Sequence, residues 1–397
     1  MPSWLGIRTE KSQMALPVVY SDQGGPTDSS PQIEAMRSTS SEASAIWGTH
    51  LGLTKLVAST SSTPSVGIGG AGGAVRNLLS FPSEDGAGGA PVGLNSHPNT
   101  VGGPRAARLL GSGLARVEWG IDVSPGAMEA VVTAYARAGV KIQPLAGFAG
   151  DLPTEDEARN LRAWALRFGP NGTFWKSGAL RRLAITHIEF GNETSYGYQY
   201  DDDASTESYA QRARTYAERA RLAARVLQGT GVGLLIQADD GGSKRSTWVD
   251  QMFSAVPDLH RSAAGWIVHP YGPSGTDRIK RTIAFLGARG VPVASIRVYV
   301  TEWGLASDNG RTLDDNYGYP TDLTYDQAAE ILRATLSSWR EAFGEQLAQV
   351  IIYQDYEPRP GGGSTHREHY FGVLRSNGAD KGSYTAEVRR QLTGVRT

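Results

Sequence analysis

Hydrophobic and polar positions follow a regular rhythm from about residue 91 to the end of the chain. Short runs rich in β-branched and aromatic residues predict buried strands, and the longer segments between them carry apolar residues at helical spacing. The predicted strands are residues 91–95, 115–119, 141–147, 187–193, 233–238, 265–271, 298–302 and 350–354. The predicted helices are residues 124–138, 154–168, 208–227, 247–255, 277–288, 325–343 and 384–392.

This alternation predicts an α/β protein with the TIM (β/α)8 barrel fold. Eight strands alternate with helices over roughly 300 residues, as such a barrel requires. Most of the strands are continuous apolar runs, which suits a parallel sheet that is covered on both faces. A doubly wound sheet is the competing architecture, but it calls for a glycine-rich dinucleotide turn after its first strand, and none follows Asn95.

Residues 1–90 differ in composition and predict an N-terminal extension, a linker or a small irregular module. They are rich in Gly, Ser, Thr and Pro, and the glycine-rich run at 67–73 lacks the Gly-Lys-Ser/Thr of a phosphate loop. A helix over residues 31–53, capped by Ser30, is compatible with this segment. Residues 91–397 form the predicted barrel.

The domain boundary can be tested by truncation. We predict that a chain beginning near Ser83 folds and keeps most of its activity. The opposing possibility is that an apolar patch, which includes Trp47 and Leu51, covers the bottom of the barrel. A truncated chain that is insoluble, or that melts far below the full chain, would place residues 1–90 within the barrel domain.

Composition and charge exclude several classes of function. The 397 residues are 40% hydrophobic and 20% charged, with a net charge of −1 and no basic run, which argues against a nucleic-acid partner. Cysteine is absent, which excludes disulfides and a thiolate nucleophile. No apolar stretch reaches the 18 residues of a membrane span, and the N-terminus lacks the pattern of a signal peptide. Compartment and oligomeric state stay open, and secretion or display at the cell surface is compatible with the chain.

Candidate chemistry lies where the predicted strands end. Active groups of a (β/α)8 barrel come from the C-terminal ends of its strands. Two strands end on glutamates, Glu193 and Glu302, and two carboxyl groups on either side of a glycosidic bond are what sugar hydrolysis requires. A single strand-end Asp or His is more often a loop cap or a structural hydrogen bond, so the inference depends on the set. The other members are Trp119, Asn192, Asp239, His269, Tyr271, Trp303, Gln354 and Asp355.

These motifs resemble clan A of the retaining glycoside hydrolases. The sequence Gly-Asn-Glu at 191–193 and Thr-Glu-Trp-Gly at 301–304 are similar to the clan's two catalytic strand ends, and His-Pro-Tyr at 269–271 to its sixth. The closing segment, from Tyr370-Phe371-Gly372 to the Lys-x-x-Tyr at 381–384, also resembles the clan's. The likeness spans about residues 91–395 and does not single out one family.

The resemblance implies a retaining hydrolase that cleaves O-glycosidic bonds of an oligo- or polysaccharide by double displacement, without a cofactor. It assigns Glu193 as general acid/base and Glu302 as nucleophile, with Asn192 on the sugar 2-hydroxyl and with His269 and Tyr271 as substrate-binding residues. The alternative is a catalytically inactive carbohydrate-binding or structural barrel.

Three further binding candidates each have a second interpretation. Trp119 and Trp303 offer flat faces to a sugar ring, or they belong to the barrel core. Arg116 either donates to Glu302 or pairs with Glu118, which shares its face of the second strand.

The chain departs from the clan's pattern after the eighth strand, where residues 353–357 contain no tryptophan. A further acidic run, at 201–203, lacks the spacing of a calcium loop and is typical of a solvated turn. No His-Glu-x-x-His motif is present, and we expect no catalytic metal.

Overall fold

A computed structural model describes residues 90–148, 152–175, 178–196, 206–239, 248–358 and 364–394. Within these ranges eight parallel strands close into a barrel, each paired with the next in sequence and the eighth with the first. The predicted (β/α)8 barrel is therefore confirmed. The strands are β1 (Val92–Ser96), β2 (Leu114–Gly120), β3 (Lys141–Gly147), β4 (His187–Phe190), β5 (Gly233–Gln237), β6 (Gly265–Val268), β7 (Val298–Trp303) and β8 (Leu347–Ile352).

Helices follow the strands in the described part of the chain. They are α1 (Gly102–Leu110), α2 (Pro125–Arg137), α3 (Glu155–Phe168), α4 (Gly178–Arg181), α5 (Thr206–Leu227), α6 (Trp248–Ala255), α7 (Gly275–Ala288), α8 (Tyr325–Phe343) and α9 (Ser383–Thr393). All seven predicted helices from residue 124 onward are present, with ends that shift by a few residues. The sequence analysis assigned no helix between β1 and β2, because two glycines and a proline open α1.

Local capping explains where several helices begin. The Thr154 hydroxyl accepts from the Glu157 amide while the Glu157 carboxylate accepts from the Thr154 amide, which is the capping box expected from the sequence. Thr324 and Gln327 repeat this arrangement at α8. Helix α2 starts with Pro125 in its first turn, after Ser124 as N-cap.

Side chains alternate between the two faces of the barrel wall. Those that point outward pack against the helices in one apolar core, as Phe190 does against Tyr216 of α5. Those that point inward are largely polar and bond across the barrel, as Gln349 does to Gln143 and Thr301 to Glu189. The interior thus holds buried polar groups that the continuous apolar appearance of the strands did not predict.

Strand β7 departs from strict alternation at its C-terminal end. Val300 is opposite Val350, and Trp303 is opposite Ile352, so β7 contains one residue more than β8 in this interval. Such a bulge lets two successive side chains face the same side. Thr301 and Glu302 accordingly both contact interior residues, and Trp303 turns outward to Trp339 of α8.

The closing segment is anchored by a buried lysine. Lys381 Nζ donates to the carbonyl oxygens of Ser307 and Tyr370 and lies 2.6 Å from Glu357 Oε1. We call Lys381, Glu357 and these two carbonyls the closing cluster. It joins the loops after β7 and β8 to the start of α9.

The N-terminal extension and its predicted helix lie outside the described residues, as does the acidic run at 201–203, so the domain boundary stays a prediction. Among the described helices, none combines the length and the apolar character that crossing a bilayer requires.

Candidate active site

Glu302 lies at the C-terminal end of β7, inside the barrel mouth, and is held on both carboxylate oxygens. Arg116 Nη1 of β2 donates to Oε2 at 3.0 Å, and the Tyr271 hydroxyl donates to Oε1 at 2.9 Å. Burial and the charge of Glu302 raise the pKa of Tyr271 well above its ordinary value, so the phenol remains a donor. Two fixed donors hold this carboxylate in one orientation.

Glu193 follows β4 and faces Glu302. Gly191, at φ +80°, turns the chain, and a side chain there would collide with the Phe148 ring. Glu193 itself has φ 44°, a conformation that costs a non-glycine residue of order 1–3 kcal/mol and tends to occur at functional sites. Burial raises the pKa of Glu193; a hydrogen bond from His269 opposes this, while Glu302 and Asp239 add to it.

The two oxygens of Glu193 have different surroundings. His269 Nδ1 lies 3.0 Å from Oε1. Oε2 is buried and has no hydrogen-bond partner among the described residues. An unpaired buried carboxyl oxygen is costly in a purely structural role, which indicates a role for Glu193 beyond the fold.

Below these two carboxyls lies a third, Glu189 of β4, which is fully buried. Arg116 donates to it twice, from Nε at 2.8 Å and from Nη2 at 2.9 Å, and the Thr301 hydroxyl donates to its Oε1 at 2.9 Å. Burial alone would raise the pKa of Glu189, but Arg116 and His269 lower it to about 2. Glu189 is therefore a permanent anion. We call Arg116, Glu189, Glu193, His269 and Glu302 the mouth cluster.

Arg116 links both sides of the mouth cluster. Besides Glu189 and Glu302, its guanidinium donates to Asn95 Oδ1 at 3.0 Å and to Asn192 Oδ1 at 2.7 Å. Arg116 and Glu118 interact through their charges, but the hydrogen bonds and ion pairs of Arg116 go to Glu189, Glu302, Asn95 and Asn192, so of its two interpretations the geometry favours the one at the site. The bond from Arg116 to the Asn192 oxygen also fixes the orientation of the Asn192 amide.

The two tryptophans lie in the core layer. Trp303 is fully buried against Trp339, with ring centroids 5.1 Å apart, and Trp119 is 8% exposed within the outer apolar core. This placement favours the core interpretation of both residues over contact with a sugar ring. The aromatic residue that follows β8 is Tyr353, whose ring packs edge-on against Phe371.

The remaining strand-end residues support the site from outside. Asp239 accepts from the His269 amide and pairs with Arg278 of α7 at 2.9 Å. Asp355 binds His97 and Ser96 at the end of β1. Gln354 bonds through its backbone to Val373.

Two further carboxyls lie within the electrostatic reach of Glu302, and the sequence pattern gave neither of them a place in the site. Glu118 is half-buried on β2; burial raises its pKa to about 7, with Arg116 opposing and Glu302 adding to the shift. Glu368, which follows the loop after β8, accepts from Tyr317 and Arg367. Burial raises its pKa to about 7 as well, against Arg367 and with Glu302. Nothing in the sequence pattern connects Glu368 to this site.

Glu193, His269 and Glu302 also have the spacing of a metal site, with ligand atoms within 4.8 Å of one another. Both ring nitrogens of His269 are, however, already hydrogen-bonded. Burial would lower the pKa of His269, but Glu302 and the bonds to Glu189 and Glu193 raise it to about 10. A protonated imidazole offers no lone pair to a metal, so the donor set fits proton transfer better than cation binding.

Comparison with known proteins adds a likeness of fold. No family model and no curated protein matches the chain. Among solved structures, β-glucuronidase 2 of Bacteroides uniformis aligns at 13% identity and TM-score 0.49, over 75% of this chain and 34% of that one. A GH5_18 protein of Streptomyces cattleya, solved with GlcNAc, aligns at 15% identity and TM-score 0.49, over 78% and 82%. A GH5_18 protein of Bifidobacterium longum, solved with Manb1-4GlcNAc, aligns at 12% identity and TM-score 0.48, over 77% of each chain.

This chain spans only 34% and 31% of the length of the two B. uniformis β-glucuronidase structures that it matches. At identities this low, the activity of this chain is argued from its own side chains.

Proposed function

We propose that the chain is a glycoside hydrolase that acts with retention of configuration, with Glu302 as nucleophile and Glu193 as general acid/base. The observation that carries the proposal is the pairing of these carboxyls at the barrel mouth, with oxygens within 4.8 Å of each other. Retaining enzymes place the two groups about 5–5.5 Å apart, whereas inverting enzymes leave about 6.5–9.5 Å for a water molecule.

The surroundings support different roles for the two groups. Glu302 is fixed by two donors, Arg116 and Tyr271, and so presents its carboxylate in one orientation. Glu193 is buried with a raised pKa, which favours the protonated form that an acid needs at neutral pH. Two carboxyls whose environments differ in this way are suited to nucleophile and acid.

In the first step a Glu302 oxygen attacks the anomeric carbon, and the bond from that carbon to the leaving oxygen breaks. Glu193 transfers its proton to the leaving oxygen, and a glycosyl ester remains on Glu302. In the second step Glu193 takes a proton from water, whose oxygen attacks the same carbon and releases Glu302 as a carboxylate. We assign to Asn192, whose Oδ1 accepts from Arg116, a hydrogen bond from its amide nitrogen to the sugar 2-hydroxyl, a contact that strengthens in the transition state.

The substrate is a carbohydrate, and product analysis by mass spectrometry over a panel of aryl glycosides and polysaccharides identifies it. On an aryl glycoside, Glu302→Ala is expected to lose turnover by about 10⁴-fold or more. Glu193→Ala is expected to keep turnover of substrates that have a good leaving group, and this turnover is expected to respond to added azide. Glu345→Ala, at a side chain that is 94% exposed, is the matched control.

The first-formed sugar, followed by proton NMR, is expected to have the configuration of the substrate. Inversion would contradict the assignment of Glu302 as nucleophile, and so would full activity in Glu302→Ala. Binding of glycans without turnover on any substrate would instead favour an inactive carbohydrate-binding barrel.

A further inference from the structure

We infer that Glu189 is a positioning residue that controls both halves of the proposed site, orienting Glu302 through Arg116 and directing the acid proton of Glu193 through Thr301 and His269. This inference rests on the proposed function. Sequence analysis gave Glu189 no role, because it lies inside the barrel rather than at a strand end.

The branch to Glu302 is a matter of geometry. Glu189 accepts two parallel bonds from Arg116, and this fork fixes the plane of the guanidinium. The remaining hydrogens of the same group reach Glu302 Oε2 at 3.0 Å and Asn192 Oδ1 at 2.7 Å. Without these two bonds Arg116 could turn, and it would no longer hold Glu302 and Asn192, the two groups that are proposed to contact the substrate.

The branch to Glu193 follows from counting protons. Glu189 is an anion and can only accept, so the single Thr301 hydroxyl proton is directed to Glu189 Oε1. The Thr301 oxygen must then accept from His269 Nε2, 3.0 Å away, and Nε2 therefore carries a proton. His269 Nε2 is itself 3.9 Å from Glu189 Oε1, so Thr301 bridges the two.

The state of His269 then decides which oxygen of Glu193 holds the acid proton. Glu189 and its neighbours keep His269 protonated, so Nδ1–H donates to Glu193 Oε1. A proton on Glu193 consequently resides on Oε2, the oxygen without a partner among the described residues. Oε2 is thereby identified as the atom that donates to the leaving oxygen.

Other charged and titratable groups face this chain of contacts, and both test variants leave them unchanged. They are Arg116 and Glu118 on β2, Asp239 after β5, Tyr271 after β6, Arg278 on α7, Glu302 on β7 and, beyond them, Tyr196, Tyr317, Tyr353 and Glu368.

Two isosteric variants separate the branches. Glu189→Gln removes the anion and lets the new amide donate to Thr301, so His269 becomes neutral and Glu193 loses an adjacent cation. We expect the alkaline limb of kcat/KM to move up by about one pH unit. We also expect the plateau of kcat/KM to fall about 10- to 100-fold, because the Arg116 fork is lost.

Thr301→Val removes both bonds of the bridge, the one to Glu189 and the one to His269, and leaves the Arg116 fork in place. It is expected to shift the alkaline limb in the same direction while the plateau stays within about threefold of the parent, because Arg116 keeps both bonds to Glu189. The control is Glu387→Gln, which neutralises a buried carboxylate on α9 away from the mouth. It is expected to change neither the alkaline limb nor the plateau of kcat/KM.

A spectroscopic measurement makes the test independent of activity. Nitrogen-15 NMR of the histidines is expected to show His269 as an imidazolium at pH 8 in the parent and as a neutral ring in both variants. If Glu189→Gln lowers activity and melting temperature while the alkaline limb and the His269 signals stay as in the parent, Glu189 is merely structural and the inference is overturned.

An unchanged His269 signal in Thr301→Val would equally overturn the inference. If the parent turns over no glycoside, the proposed function fails, while the His269 signals still decide whether Glu189 controls that ring.

Discussion

The mouth cluster and the closing cluster are both buried groups of opposite charge, yet they are built differently. In the closing cluster one ammonium, Lys381, has one carboxylate and two carbonyl oxygens as partners. In the mouth cluster three carboxyls share Arg116 and His269, and one oxygen of Glu193 has no partner in the described part of the chain. The first arrangement joins loops, and the second keeps carboxyls close together.

The difference shows how a barrel can separate stability from chemistry. Removing one partner of a buried pair leaves an uncompensated charge, which is strongly destabilising. Crowded carboxyls, by contrast, weaken the fold but hold protons at the pH where an acid is needed. We therefore expect changes in the closing cluster to affect stability, and changes in the mouth cluster to affect activity.

The largest effect on stability is expected from Lys381→Met. It leaves Glu357 and two carbonyl oxygens without their cation, at a cost of about 3–5 kcal/mol in the free energy of unfolding. Urea denaturation measures this loss, and adding Glu357→Gln is expected to recover part of it. A loss below about 1 kcal/mol would mean that the closing cluster does not stabilise the fold.

Arg116→Lys tests the mouth cluster without removing its positive charge. A lysine cannot form the fork to Glu189 and still reach Glu302 and Asn192, so kcat/KM is expected to fall about 10- to 100-fold. The melting temperature is expected to change by only a few degrees. The control is Arg159→Lys, at an exposed pair on α3, which is expected to leave both quantities unchanged. Equal activity of the two variants would contradict the proposed role of the fork.

Glu368 provides a test by pH. Its pKa rises from 4.5 to about 7 on folding, so between these values the folded chain holds a proton that the unfolded chain has lost. Stability from this group therefore falls as the pH rises through that window. The free energy of unfolding of Glu368→Gln is expected to exceed that of the parent by roughly 1–2 kcal/mol at pH 8, and the difference is expected to vanish near pH 4. Denaturation at both pH values measures it, and a Gln variant that is less stable at pH 8 would contradict the shift.

The smallest effect on stability is expected from Glu193→Gln. It neutralises a buried carboxyl in the mouth cluster, so stability at pH 8 is expected to stay level or to rise by about 0.5–1 kcal/mol while acid catalysis is lost. A clear loss of stability would mean that Glu193 also supports the fold, and the contrast between the two clusters would then fail.

Much of the fold could be predicted because its signals are local. The capping box at Thr154 and the apolar run before Glu302 each depend on a few neighbouring residues. Helix α1 was missed because its opening residues, Gly102, Gly103 and Pro104, are poor helix formers. The Tyr135 hydroxyl lies so near Gly103 that a side chain would not fit there, and this approach is between residues far apart in the chain.

The sequence by itself determined the order of strands and helices, the parallel barrel, and the two strand-end glutamates at its mouth. Only the tertiary structure decided which way the side chains face. An extra residue in β7 turns Thr301 and Glu302 inward together and sends Trp303 into the core, against the alternation expected of a regular strand. The pairing of Arg116 with Glu189 also depends on the closure of the barrel, because these residues are 73 positions apart in the chain. Such contacts arise from geometry between distant strands, which a pattern of neighbouring residues does not contain.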